Sequence, residues 1–167
     1  MCNIGLSFRS GLRIRTCAAA AVVALLASNA APIFAADDLT LAPDLSFTDD
    51  SSANFPIAAK NLSDAAIAAD RATIIFFGTA HCWNTNREAE RLVSLYPRYR
   101  GKVNFIVVDL NHATGAQRTL MAKYYHGYIP TIAVIDLHGR LLYDRAGETS
   151  SERGDTAHLE SLINSSN

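Results

Sequence analysis

Three runs rich in β-branched and aromatic residues, Thr73–Phe77, Val103–Leu110 and Thr131–Asp136, recur at intervals that each leave room for a helix. The runs are nearly continuous rather than alternating in apolar character, which predicts strands covered on both faces. Segments of helical periodicity lie between them, from Trp83 to about Tyr96 and over Ala116–Tyr125. In the first of these, Ala89, Leu92, Val93 and Tyr96 share one face, and Arg87, Glu88, Glu90 and Arg91 are expected mostly on the wet side. Pro97 and Gly101 are expected to end it. Leu137-His138-Gly139-Arg140 has the residues of a hairpin turn, so Leu141–Asp144 is expected to return as a partner strand. The Ala-rich Ile57–Asp70 predicts an opening helix, and Glu152–Ile163 a closing one. The order is that of an α/β protein: a βαβ unit with parallel strands, then an antiparallel pair.

The chain has 167 residues, enough for one domain with a substantial core. A formal net charge of −1 and the lack of any basic run argue against a nucleic-acid partner. The cysteines are Cys2, Cys17 and Cys82, too few for a disulfide scaffold or a Cys-rich zinc site. His112, His126, His138 and His158 do not fall at metal-ligand spacing, and there is no Gly-rich phosphate loop. No metal or cofactor is therefore expected.

Residues 1–35 read as a signal peptide. Arg9, Arg13 and Arg15 form a positive start, and Cys17–Ala27 is an apolar core too short for a comfortable membrane span. Small residues follow, and Ser28-Asn29-Ala30 and Ile33-Phe34-Ala35 are alternative cleavage sites. The expected product is exported, periplasmic or secreted, and membrane-bound only if this segment stays uncleaved as an anchor. Residues 36–56, rich in Asp, Ser, Ala and Pro, are expected as a flexible linker, followed by a folded domain over residues 57–167.

Cleavage leaves Cys82 as the only thiol. It stands in the turn between the first core strand and the helix that begins at Trp83. Backbone N–H groups lack partners there and the helix dipole is positive, so a thiolate is stabilised and made more available as a nucleophile. A lone exported thiol is a reactive group, an intermolecular partner or a buried hydrophobe.

Taken together, Ile74–Cys82, Val107–Asn111, Ile129-Pro130-Thr131 and the hairpin in Thr131–Leu142 resemble the thioredoxin-like superfamily, in particular exported bacterial members. The resemblance covers about Ile57 to Ile163. It implies a three-layer α/β/α fold around a mixed sheet of about four strands. It also makes Cys82 the attacking cysteine and Asp109 a strand-end acid. Pro130 matches a cis-proline facing the site, which leaves the backbone of Ile129 open to an extended substrate segment.

The family's C-x-x-C motif reads here Cys82-Trp83-Asn84-Thr85, with threonine at the resolving position. His81 replaces the usual aromatic residue, Phe76 a buried carboxylate, and Tyr128 a glycine. Cys82 can then form a mixed disulfide with a client protein or a small thiol, but release needs an external thiol. A persistent client adduct and a Cys82–Cys82 homodimer are the other outcomes. Thr85 is expected to donate a hydrogen bond to the Cys82 sulfur, and His81, as an imidazolium, to favour the thiolate. Trp83 either contacts a client or packs on the fold's own edge, and Tyr128 either crowds the groove beside Pro130 or joins the core. The alternative function is a redox-inactive binding or chaperone module that keeps the groove.

Overall fold

A computed structural model describes residues 37–144 and 153–166. The expected signal segment, with Cys2 and Cys17, and Glu152 lie outside the described residues, and the closing helix expected from Glu152 begins only at Ala157. The elements are β1 (Asp37–Leu41), β2 (Ile57–Lys60), β3 (Thr73–Gly78), α1 (Trp83–Tyr99), β4 (Asn104–Asp109), α2 (Gly115–Tyr124), β5 (Thr131–Ile135), β6 (Leu141–Asp144) and α3 (Ala157–Asn164).

The apolar runs form the central sheet, in the order β4-β3-β5-β6. β3 pairs parallel with β4, from Thr73↔Asn104 to Gly78↔Asp109. It pairs antiparallel with β5, from Thr73↔Ile135 to Phe77↔Thr131. Successive side chains point to opposite faces. Ile74, Phe76, Phe105, Val107, Ile132 and Val134 therefore meet Leu92, Leu95 and Tyr96 of α1 and Leu159 and Ile163 of α3. Ile75, Phe77, Ile106, Val108 and Ala133 meet Leu120 and Tyr124 of α2 on the other face. With helices on both faces, the arrangement is the three-layer, thioredoxin-like α/β fold.

Three expectations are corrected. The described part of the expected linker, residues 37–56, is not loose. It contains β1, which pairs antiparallel with β2 (Thr40↔Ala58, Leu41↔Ile57), and Leu39 is buried in the core. Ile57–Asp70 is not a helix. Ile57 is buried in the β1–β2 pair, Asn61 takes a left-handed backbone (φ 60), and the Asp64 side chain accepts from the Ala66 N–H in a local turn. Strand pairing and Asx chemistry override the helix preference of the alanines. Third, α1 runs past Pro97 to Tyr99. A proline in the last turn removes only one backbone bond, and the Tyr99 hydroxyl is fastened to Asn164 Oδ1 of α3 at 2.7 Å.

The face of α1 expected to be wet is largely covered: Arg87, Glu88 and Arg91 are all buried. The arm between β1 and β2 accounts for part of this. Arg87 Nε donates to the Phe47 carbonyl at 2.9 Å, and its guanidinium lies 4.5 Å from the centre of the Trp83 ring. Glu88 pairs with Arg91 in the interior. Glu90 keeps some exposure and binds Arg153, whose guanidinium lies 3.9 Å from the centre of the Phe47 ring.

Candidate functional site

β3 ends at Gly78, and the chain turns through Thr79–His81 into α1. Gly78 is required by close approach: a Cβ there would lie 2.5 Å from Thr85 Cγ2 and 2.8 Å from the Phe76 ring. His81 is exposed, has a left-handed backbone (φ 55), and donates its N–H to the Ser52 carbonyl at 3.1 Å. This turn carries Cys82 to the N-cap of α1, where it is extended (φ −144, ψ 105) and makes no side-chain capping bond. Its thiol is free and half-buried.

The first free N–H of α1 does not wait for the sulfur. Asp50 Oδ1, from the arm between β1 and β2, accepts from the Trp83 N–H at 3.0 Å. Asn86 Nδ2 holds the same arm through the Ser46 carbonyl (2.6 Å) and Ser52 Oγ (2.9 Å). An acceptor with negative charge therefore sits at the positive end of the helix, one peptide unit from Cys82. The sequence reading missed Asp50, Ser52 and Asn86 as site residues. A short Asp-Asp-Ser-Ser run, Asp49–Ser52, is rich in capping side chains, but nothing local ties it to a helix more than thirty residues away.

Thr85 is fully buried, and its Oγ1 has no hydrogen-bond partner. The expected bond to Cys82 is absent, and the Thr85 methyl packs over Gly78 instead. Trp83 lies under the Arg87 guanidinium, so part of its ring is engaged within the chain. Phe76 is fully buried and packs edge-on against Phe55, ring centres 6.1 Å apart.

The β3–β5 register puts the end of β3 beside the start of β5. Cys82 and the Ile129–Pro130 segment therefore belong to the same end of the sheet. The Ile129–Pro130 bond is cis, and Pro130 is buried. Ile129 is 41% exposed, and its backbone is in no hydrogen bond among the described residues. Tyr128 is 57% exposed, outside the core, and its carbonyl accepts from Thr131 Oγ1. Asp109 closes the same end on β4, with Oδ2 2.7 Å from His112 Nδ1. Among the described residues, no group of three or more His, Cys, Asp or Glu side chains is placed to hold a metal.

No protein-family model matches the chain, and no curated protein matches it by sequence. Solved structures are similar at low identity. Thioredoxin from Fasciola hepatica is 18% identical with a TM-score of 0.46, over 59% of this chain and 85% of that one. Oxidised mitochondrial thioredoxin 3 from Saccharomyces cerevisiae is 16% identical with a TM-score of 0.43, over 57% and 79%. The germline-specific thioredoxin Deadhead of Drosophila melanogaster is 16% identical with a TM-score of 0.44, over 57% and 81%. Likenesses this distant say nothing of chemistry. The fold is established by this chain's own strand order, registers and helix placement.

Proposed function

We propose that the protein performs one-cysteine thiol–disulfide exchange at Cys82 on an extended segment of a client protein. The observation that carries this reading is the pairing of a half-exposed thiol with the open backbone of Ile129 at one end of the sheet. Ile129 offers an N–H and a C=O to a client strand, and Cys82 offers the nucleophile. The Cys82 thiolate attacks one sulfur of a client disulfide, forming the Cys82–client S–S bond. The other client sulfur leaves as a thiolate and takes a proton from solvent. Thr85 cannot attack the mixed disulfide, so release falls to an external thiolate such as glutathione or another protein's cysteine. Export follows in this reading from the Arg-led apolar segment at the start of the sequence.

One observation favours a second reading, a binding or chaperone module that uses the groove without turnover. Asp50 takes the Trp83 N–H and puts negative charge where a thiolate would form. Client capture separates the two. The full chain is expressed in its host, and proteins disulfide-linked to it are identified beside a Cys82→Ser control. Exchange predicts adducts that vanish in the variant. The binding reading predicts that Cys82→Ala keeps its clients non-covalently, with no adducts to the parent protein.

A further inference from the structure

A cavity of about 350 Å³ opens beside β4, and Cys82, Thr85 and Pro130 take no part in its lining. Phe55, Ile57 and Leu62 form its apolar wall. Val107 and Asp109 supply the strand side, and Ser63 and His112 also line it. The volume lies at the low end of ligand-binding cavities and equals the liquid share of about a dozen waters, room for one or two residues of a peptide.

β4 is an edge strand of the central sheet. The Asn104 N–H donates to the Ala72 carbonyl and the Leu110 N–H to the Gly78 carbonyl, so even-numbered residues of β4 face β3. In a parallel ladder the alternate residues, Val107 and Asp109 among them, then turn their backbone groups outward. The Val107 carbonyl is taken by Gln117 Nε2 at 3.0 Å. The N–H groups of Val107 and Asp109 have no hydrogen-bond partner among the described residues. The cavity thus meets a strand edge that offers donors spaced about 7 Å apart, two residues of an extended strand.

We propose that this cavity is a second peptide-binding site, taking an extended segment of a partner protein by its backbone carbonyls and one apolar side chain. An extended chain presents same-side carbonyls at the repeat of the two free N–H groups, and the wall of Phe55, Ile57 and Leu62 receives the side chain between them. Acidic side chains are selected against. Asp109 lines the cavity, His112 Nδ1 is already engaged with its Oδ2 at 2.7 Å, and no lysine or arginine joins them in the lining. The site is independent of thiol chemistry at Cys82.

The test titrates the isotope-labelled full chain with N-acetyl-leucyl-alanine N-methylamide, an extended probe whose acetyl and alanine carbonyls face the same side, and follows the backbone amides by NMR. The expected result is saturable shifts at Val107 and Asp109, with slowed hydrogen exchange at the Val107 N–H. The aspartate analogue should bind at least severalfold more weakly. Ser63 is exposed and lines the cavity, so Ser63→Trp fills the space without disturbing the core. That variant should lose the shifts while keeping the alkylation rate of Cys82. Absence of saturable shifts, shifts that persist in Ser63→Trp, or equal binding of the aspartate analogue each overturns the proposal.

Discussion

Asp50 Oδ1 accepts the backbone N–H of Trp83 at 3.0 Å, so a side chain from the arm between β1 and β2 caps the helix that carries the thiol. This link sets a negative charge against the N-terminal end of α1, beside Cys82. A strand–turn–helix nest with free N–H groups is suited to a thiolate, and Asp50 occupies part of that nest.

Asp50→Asn keeps an acceptor for the Trp83 N–H and removes the charge. Iodoacetamide should then modify Cys82 about two- to fivefold faster at neutral pH, the size of a helix-end charge effect. An unchanged rate would show that Asp50 acts only as a structural cap.

The Thr85 hydroxyl is buried without a partner, so it costs desolvation and returns no hydrogen bond. Thr85→Val should be neutral or stabilising by about 1 kcal/mol in urea unfolding and leave Cys82 alkylation unchanged. A marked fall in alkylation would mean that the hydroxyl serves the sulfur after all.

Gly78→Ala places a methyl group against Thr85 Cγ2 and the Phe76 ring. Overpacking of this kind should cost about 1–3 kcal/mol. Thr85→Ser removes the nearer methyl, so the double variant should recover part of the loss, a coupling that a double-mutant cycle measures directly.

Arg91→Leu leaves the Glu88 carboxylate buried without its partner, and should destabilise the fold by about 3–5 kcal/mol. Adding Glu88→Leu should recover part of that, because it removes the unpaired Glu88 charge from the interior. Urea midpoints of the single and double variants decide it.

Asp136 holds the β5–β6 hairpin by accepting from the backbone N–H groups of His138 and Arg140 and from Arg140 Nε. Burial pushes its carboxyl up, but these hydrogen bonds and the Arg140 charge outweigh it, and the net shift is below the ordinary aspartate value. The folded state therefore binds this proton less readily than the unfolded chain. The contribution to stability is present above about pH 3.9 and is lost as pH falls through the lowered folded value. Asp136→Asn should flatten that acid limb of the stability profile.

The central sheet was legible because β3, β4 and β5 are buried on both faces, and such strands write themselves as short apolar runs. β1, β2 and the arm between them were not. Their polar, Asp- and Ser-rich composition is that of a linker, and what orders them is contact with α1 far along the chain, through Asp50, Ser52 and Phe47. The same long-range cover hides the burial of Arg87, whose sequence spacing alone places it on a solvated face. Cys82 and Pro130 were visible from a strand-end thiol and an Ile-Pro-Thr motif. Thr85 was visible in position only, because packing on Gly78 turns its methyl, and not its hydroxyl, to account.

The most direct measurement incubates the reduced protein, with Cys2 and Cys17 replaced by serine, with a peptide disulfide and maps the adduct by mass spectrometry. The account predicts a one-to-one mixed disulfide on Cys82 that persists until glutathione is added. Failure to form the Cys82 adduct, or its turnover without any added thiol, would contradict it.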